Sequence, residues 1–87
     1  MKFGGTSVAD LGKIANAASK VAQEVKNGHD IIVIVSAMSG KTNELVNWVK
    51  ETREDYDQAE YDAVVSSGEN ITSGLMALRL QQMGIQA

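Results

Sequence analysis

Apolar residues in the first third of the chain recur at the spacing that places them on one face of a helix. From Leu11 onward they lie three or four residues apart, at Leu11, Ile14, Ala18, Val21 and Val25. This period predicts an amphipathic helix with one buried stripe. Ser7-Val8-Ala9-Asp10 matches a capping box at its start. Asn27-Gly28 predicts its end, because glycine adopts the left-handed conformation that stops a helix.

Three further segments are predicted to be strands or parts of strands. Residues 1 to 3 run directly into the Gly4-Gly5 breaker, so they are expected to be the last part of a strand. Ile31 to Val35 are all β-branched and lack polar alternation, which predicts a strand covered on both faces. Ile85 to Ala87 are expected to begin another strand.

Helical patterns return after the second strand. A helix is predicted over residues 42 to 53, and its buried side is expected to hold Leu45, Trp48, Val49 and Thr52. The acidic stretch 51–62 is expected to be a solvated helix end and connector. A short helix should follow, carrying Tyr56, Tyr61, Val64 and Val65. Gly68 is expected to interrupt the chain before a last helix up to Gly84, marked by Ile71, Leu75, Met76 and Leu78.

This order of strands and helices predicts an α/β fold of the doubly wound type. One full strand and two short ones are too few to be covered on both sides by four helices. The expectation is therefore an incomplete three-layer α/β/α sandwich that is rich in helix. A chain of 87 residues suffices for one small domain, so residues 1–87 are treated as one unit. Unpaired strand edges favour self-association or exchange of elements between copies.

Composition and charge exclude several classes of function. Eight Lys and Arg residues against eleven Asp and Glu give a net charge of −3, so no surface for nucleic acid is expected. Without cysteine, and with His29 as the single histidine, no metal site is predicted. The longest apolar run, Ile31 to Val35, is far shorter than the roughly 20 residues of a membrane helix. The amino end lacks a secretory pattern, so the cytoplasm is the expected compartment.

The first candidate for chemistry is the segment from Lys2 to Ser7, in which a strand end meets two glycines and a helix start. Gly4 and Gly5 would let backbone amides approach phosphate oxygens closely, and the helix start would point its positive end at the same place. Lys2 would add a mobile cation. An ordinary strand-to-helix turn with a surface lysine explains these residues equally well.

The second candidate is the polar segment from Ser36 to Thr42, after the buried strand. It ends in Gly-Lys-Thr, but a P-loop would need glycine where Val35 stands, and a β-branched residue does not easily make that turn. What remains is a group of hydroxyls at the carboxyl end of a parallel strand, the edge at which open α/β sheets bind ligands. A role for Thr42 as the cap of its helix is compatible with this.

The third candidate is the segment from Ser66 to Asn70. Glu69, beside Gly68 at the expected helix start, has two interpretations. The commoner one is a first-turn acid that the helix dipole stabilises, and the other is a receptor for a substrate ammonium.

Together these three motifs resemble the start of the aspartate kinases of the amino acid kinase family, and the resemblance covers essentially all 87 residues. It implies the amino acid kinase fold and transfer of the γ-phosphoryl group of ATP, with Mg²⁺, to the side-chain carboxylate of L-aspartate. The product would be 4-phospho-L-aspartate, the first intermediate towards lysine, threonine and methionine. The resemblance implies that Lys2 contacts the transferring group, that Gly4, Gly5 and Ser7 hold ATP phosphates, and that aspartate is held by Ser36, Thr42 and Glu69.

Members of this family continue well past a segment of this length, with a catalytic Asp, a substrate-binding Arg, an adenine pocket and usually regulatory ACT domains. We therefore expect residues 1–87 to be an amino-terminal part of the catalytic domain that is inactive alone. Two alternatives remain open at this point. One is a fragment of a P-loop nucleotide hydrolase using Gly40-Lys41-Thr42, and the other is a non-enzymatic helical interaction module with the acidic stretch 51–62 as its contact face.

Overall fold

The order of secondary structure up to the helix after the second strand agrees with the predicted order. The computed structural model describes residues 1–53 and 57–87. Its elements are β1 (Lys2–Phe3), a 3-10 helix (Gly5–Val8), α1 (Leu11–Lys26), β2 (Ile34–Val35), α2 (Lys41–Thr52) and α3 (Gln58–Gln82). The expected strand entry at residues 85–87 has no regular structure.

The two strands pair in parallel, with Phe3 opposite Val35. The backbone amide of Ser36 donates to the carbonyl of Phe3 at 3.0 Å, directly after the strands end. β2 is shorter than the predicted strand because β1 offers only two residues for pairing. Since the strands are parallel, their carboxyl ends lie at the same edge of the sheet. The Gly4-Gly5 turn and the Ser36 segment therefore leave the sheet side by side.

The first helix starts later than the capping box predicted. Asp10 is the N-cap of α1, and its carboxylate accepts a hydrogen bond from the backbone amide of Lys13 at 2.8 Å. Ser7 instead lies in the preceding 3-10 helix, so its predicted role as the cap is wrong. The predicted end is confirmed, since α1 stops before Asn27 and Gly28 has a φ of +89°. Most of the predicted stripe is confirmed, since Ile14, Ala18 and Val21 are buried and Val25 packs against the core, whereas Leu11 is 66% exposed.

The main core lies between α1, α3 and one face of the sheet. Its buried members are Phe3, Val8, Ile14, Ala17, Ala18, Val21, Met76 and Leu80. Ile31, Val33 and Val35 pack against it from alternate positions of the chain, as expected for extended backbone. Helices therefore cover the face of the sheet to which Phe3 and Val35 belong.

The opposite face of the sheet is bare in the part of the chain that the structure describes. Ile32 is 81% exposed and Ile34 is 59% exposed. The expectation of a strand covered on both faces is therefore wrong for residues 1–53 and 57–87, which form only two layers. An uninterrupted apolar run indicates that both faces can be buried, but it carries no information about which segment covers each face.

The second helix begins one residue earlier than predicted, and its cap differs. The N-cap is Gly40, which has a φ of +80° and makes no side-chain cap hydrogen bond. The interpretation of Thr42 as the cap is thus wrong, because Thr42 lies inside the first turn. Leu45 is buried as predicted. Trp48, at 51% exposure, and Thr52 are exposed, contrary to the prediction.

The third helix is continuous where a short helix, a break and a last helix were predicted. α3 passes through Gly68 without interruption, and the carboxylate of Asp57 caps it by accepting from the amide of Ala59 at 2.8 Å. Its buried positions are Gly68, Thr72, Met76 and Leu80, spaced four residues apart. Ile71 and Leu78, two of the apolar residues that marked the predicted last helix, are exposed. The helix ends before Gly84 as predicted, and Tyr56 lies outside the described residues.

Neither α3, the longest helix, nor any other helix within residues 1–53 and 57–87 combines the length and the apolar character needed to cross a bilayer.

Replacing Asp10 with alanine should lower the free energy of unfolding by about 1 kcal/mol, because the amide of Lys13 loses its acceptor at the start of α1. Chemical denaturation followed by circular dichroism measures the change. Asp30→Ala is the matched control, since it removes the same charge from an exposed position outside the helices. Equal losses of stability in the two variants would contradict a specific capping role.

Candidate active site

The three motif segments meet around one small buried residue, Ala37, which is 5% exposed. A Cβ atom built on Gly5 would lie 3.2 Å from the carbonyl oxygen of Ala37 and 3.5 Å from the Cα of Ser39. A Cβ atom built on Gly68 would lie 2.9 Å from the Cβ of Ala37 and 3.4 Å from the Cγ of Lys41. The first and third motifs therefore both contact the second motif at the carboxyl edge of the sheet.

The first motif forms a tight turn that leads into a 3-10 helix. Gly4 is extended, and its carbonyl accepts from the amide of Ser7 at 3.0 Å. The α1 helix does not follow the glycines directly, and its first turn already has Asp10 as acceptor. The helix start that was expected at the glycines is therefore that of a short 3-10 helix and not that of α1. Lys2 is exposed and lies on the face of the sheet opposite to Phe3, because side chains alternate along a strand.

The second motif is a loop followed by the start of α2. Ser36 is half-buried, and the amide of Lys41 donates to the carbonyl of Met38 at 2.9 Å, closing the turn before the helix. The hydroxyl-bearing Thr42 is exposed on the first turn of α2. Ser36 and Thr42 thus flank a short segment in which Ala37 is buried.

The Lys41 ammonium has partners on its own helix. Its Nζ lies 3.2 Å from a carboxylate oxygen of Glu44 and 5.8 Å from the ring centroid of Trp48. A P-loop lysine must instead reach over the loop to the β- and γ-phosphates. Val35 also stands in β2 at the position that needs the first glycine. Neither observation favours the P-loop alternative.

The third motif is part of the interior of α3 and not a loop. Glu69 is exposed, and because the helix starts at Gln58, the interpretation of Glu69 as a first-turn acid is wrong. The preceding Gly68 is buried against the second motif, so Glu69 follows directly on the closest contact between α3 and the loop. Glu69 is therefore the sequence neighbour of the residue through which α3 contacts the second motif, a segment that carries three hydroxyl side chains, those of Ser36, Ser39 and Thr42.

Sequence reasoning missed the two residues that join these motifs. Ala37 had no predicted role, and Gly68 was expected to interrupt a helix. One signal was available for Gly68: a glycine within a helical pattern often marks a close packing contact. Among residues 1–53 and 57–87, no three His, Asp or Glu side chains are grouped closely enough to bind a metal ion.

Comparison with known proteins identifies the family of this chain. The model of the amino acid kinase family matches residues 1–87. The chain belongs to the amino acid kinase family. It is 41% identical to an aspartokinase of Geobacillus stearothermophilus and 44% identical to an aspartate kinase of Stutzerimonas stutzeri, each over 86 residues. In both comparisons 99% of this chain is matched, and it spans 21% of the relative's length.

Comparison with a solved structure leads to the same family assignment. The crystal structure of aspartate kinase from Synechocystis superimposes with a TM-score of 0.91 at 34% sequence identity, covering 94% of this chain and 14% of that one. The resemblance to aspartate kinases that the three motifs carry is therefore confirmed. Neither the P-loop hydrolase nor the helical interaction module is favoured.

The two glycines of the first motif should respond differently to substitution. Gly5→Ala places a Cβ 3.2 Å from the Ala37 carbonyl oxygen, so we expect it to lower the free energy of unfolding by about 1 kcal/mol. Gly4→Ala is the matched control, because nothing lies within 4 Å of its Cβ position and its φ of −76° suits alanine. Gly4→Ala should leave stability unchanged or raise it by up to about 1 kcal/mol. Urea denaturation curves test the pair, and a Gly5→Ala variant as stable as Gly4→Ala would argue against the contact.

Proposed function

We propose that this amino acid kinase chain is the amino-terminal part of the catalytic domain of an aspartate kinase. The reaction transfers the γ-phosphoryl group of ATP to the side-chain carboxylate of L-aspartate, giving 4-phospho-L-aspartate and ADP. The observation that carries this proposal is the meeting of three motif segments at Ala37, at the edge of a parallel sheet where such folds bind ligands. The aspartokinase relatives, which match 99% of the chain, support it.

The proposed phosphate site consists of Lys2 and the turn that follows it. The backbone amides of Gly4 and Gly5 and the hydroxyl of Ser7 would donate to phosphate oxygens, while the Lys2 ammonium would contact the group in transfer. The attacking carboxylate and the phosphoryl group are both anionic, so the reaction requires neutralisation of their repulsion. A lysine and a cluster of amides at the end of β1 supply positive charge of this kind.

The proposed aspartate site faces this turn across the second motif. Ser36 and Thr42 would donate hydroxyl hydrogen bonds to the amino acid, and the exposed Glu69 carboxylate would pair with its ammonium. A carboxylate oxygen of aspartate forms a bond to phosphorus as the bond between phosphorus and the β–γ bridging oxygen breaks, and ADP leaves. Mg²⁺ would enter with ATP. We assign no residue of this chain to it, because Glu69, the single carboxylate of the proposed site, is assigned to the substrate ammonium.

The chain spans about a fifth of the length of its aspartokinase relatives. We infer that the remainder of a complete kinase covers Ile32 and Ile34 and so adds the third layer of an α/β/α sandwich. Exposed β-branched side chains on a sheet face favour association, so copies of the isolated chain should self-associate. ATP and L-aspartate are the proposed small-molecule partners, and the isolated chain should lack activity.

A chimeric kinase tests the proposed function directly. In it, residues 1–87 replace the matching segment of the Geobacillus stearothermophilus aspartokinase, with which they share 41% identity. Incubation with ATP, Mg²⁺ and L-aspartate, followed by trapping of the acyl phosphate with hydroxylamine, should give product from the chimera and none from residues 1–87 alone. A folded chimera that leaves aspartate unphosphorylated would overturn the proposal, and product from the isolated chain would overturn its inactivity.

Two lysine variants of the chimera distinguish the proposed phosphate ligand from the P-loop alternative. Lys2→Met should lower kcat by roughly 100-fold or more, because a cation at the transferring group is lost. Lys41→Met is the matched control. It removes a half-exposed pair with Glu44, whose loss should cost stability no more than about 1 kcal/mol and leave kcat within about threefold. The reverse order of effects would support Lys41 as the phosphate ligand.

A further inference from the structure

We propose that Gly68 is a positioning residue for aspartate binding: its missing side chain lets α3 approach the second motif closely enough to bring Glu69 to Ser36 and Thr42. This inference rests on the proposed function. Gly68 touches neither substrate in this scheme and acts through the backbone and side chains that it contacts.

The contact is closer than any residue other than glycine permits. A Cβ on Gly68 would lie 2.9 Å from the Cβ of Ala37, 3.3 Å from the Cδ1 of Leu45 and 3.4 Å from the Cγ of Lys41. Carbon atoms in favourable contact are separated by roughly 3.5–4.0 Å. Ala37 and Leu45 are both buried, and Gly5 already approaches the Ala37 carbonyl, so this side of the contact has little room to recede.

Two of these contacting residues, and Gly68 itself, lie beside residues that we assign to aspartate. Ala37 follows Ser36, Lys41 precedes Thr42, and Gly68 precedes Glu69. The separation of α3 from the loop therefore sets the separation of all three proposed ligands. An alanine at position 68 would move Glu69 outward by roughly 0.5–1 Å if the closest contact relaxed to an ordinary distance. Misplacement by about 1 Å can cost on the order of 100-fold in reactivity.

The helical conformation of α3 does not require glycine at position 68. Glycine weakens the interior of a helix relative to alanine, and α3 contains a second one, Gly74. Nothing lies within 4 Å of a Cβ built on Gly74, whereas Gly68 is buried. The two glycines thus share a helix and differ in what surrounds them, which makes Gly74 the natural control.

The kinetic experiment compares three variants of the chimeric kinase described above. Gly68→Ala should raise the KM for aspartate about tenfold or more, and the KM for ATP by less than about threefold, because Gly68 lies next to the proposed aspartate ligands. Gly74→Ala should leave both constants unchanged. The double variant Gly68→Ala/Ala37→Gly removes the 2.9 Å clash and should restore most of the aspartate affinity. A purely structural role for Gly68 would lower the stability and the amount of active enzyme without this selective change in KM.

A second experiment tests the contact between Gly68 and Ala37 without an activity assay, on residues 1–87 themselves. In nuclear magnetic resonance spectra, the Gly68 α-protons should show an Overhauser effect to the Ala37 methyl group. Gly68→Ala should shift the amide resonances of Ser36 and Thr42, the added Ala37→Gly change should return them, and Gly74→Ala should leave them in place.

The results of these two experiments distinguish a failure of this inference from a failure of the proposed function. An inactive wild-type chimera together with the expected spectra would overturn the proposed function, and with it the role in aspartate binding, while leaving the contact established. An active chimera in which Gly68→Ala leaves the KM for aspartate unchanged, or in which Ala37→Gly fails to rescue it, would overturn the positioning role alone.

Discussion

The arrangement of the candidate site depends on the close approach of two backbones to Ala37. Gly5 reaches the carbonyl oxygen of this residue and Gly68 reaches its side chain, so the turn after β1 and the middle of α3 are held against the same short loop. A larger residue at either glycine, or at Ala37, would separate these segments. Van der Waals exclusion, more than any hydrogen bond or ion pair, therefore determines how near the three motifs lie to one another.

The pairing of the two strands places these segments close to one another. Because β1 and β2 are parallel and paired in register, the chain leaves both strands at one edge, and the glycine turn and the Ser36 loop begin side by side. The core between α1, α3 and the Phe3 face of the sheet then holds α3 against the loop. The same arrangement leaves Ile32 and Ile34 exposed on the other face, and an apolar surface of this kind favours burial against further protein.

The charged side chains of the three motifs differ in their surroundings. Lys2 is exposed on the open face of the sheet, whereas Lys41 lies near Glu44 and Trp48 on its own helix. The two lysines thus occupy different surroundings although each lies beside a glycine-containing motif. The placement of Glu69 beyond Gly68 puts a negative side chain on the helix that faces the second motif. In the proposed function, Lys2 neutralises phosphate charge and Glu69 pairs with the ammonium group of the substrate.

The order of elements from β1 to α2 and the stop of α1 at Gly28 followed from the sequence alone, because period and turn residues are local properties, and the resemblance of the three motifs indicated the family. The sequence did not reveal that Asp10 replaces Ser7 as the cap, that α3 continues through Gly68, or that one face of β2 is bare. Those features depend on which segments pack together. From the sequence alone, a glycine within a helical pattern is interpreted as a break. Only the tertiary structure shows that Gly68 packs against Ala37.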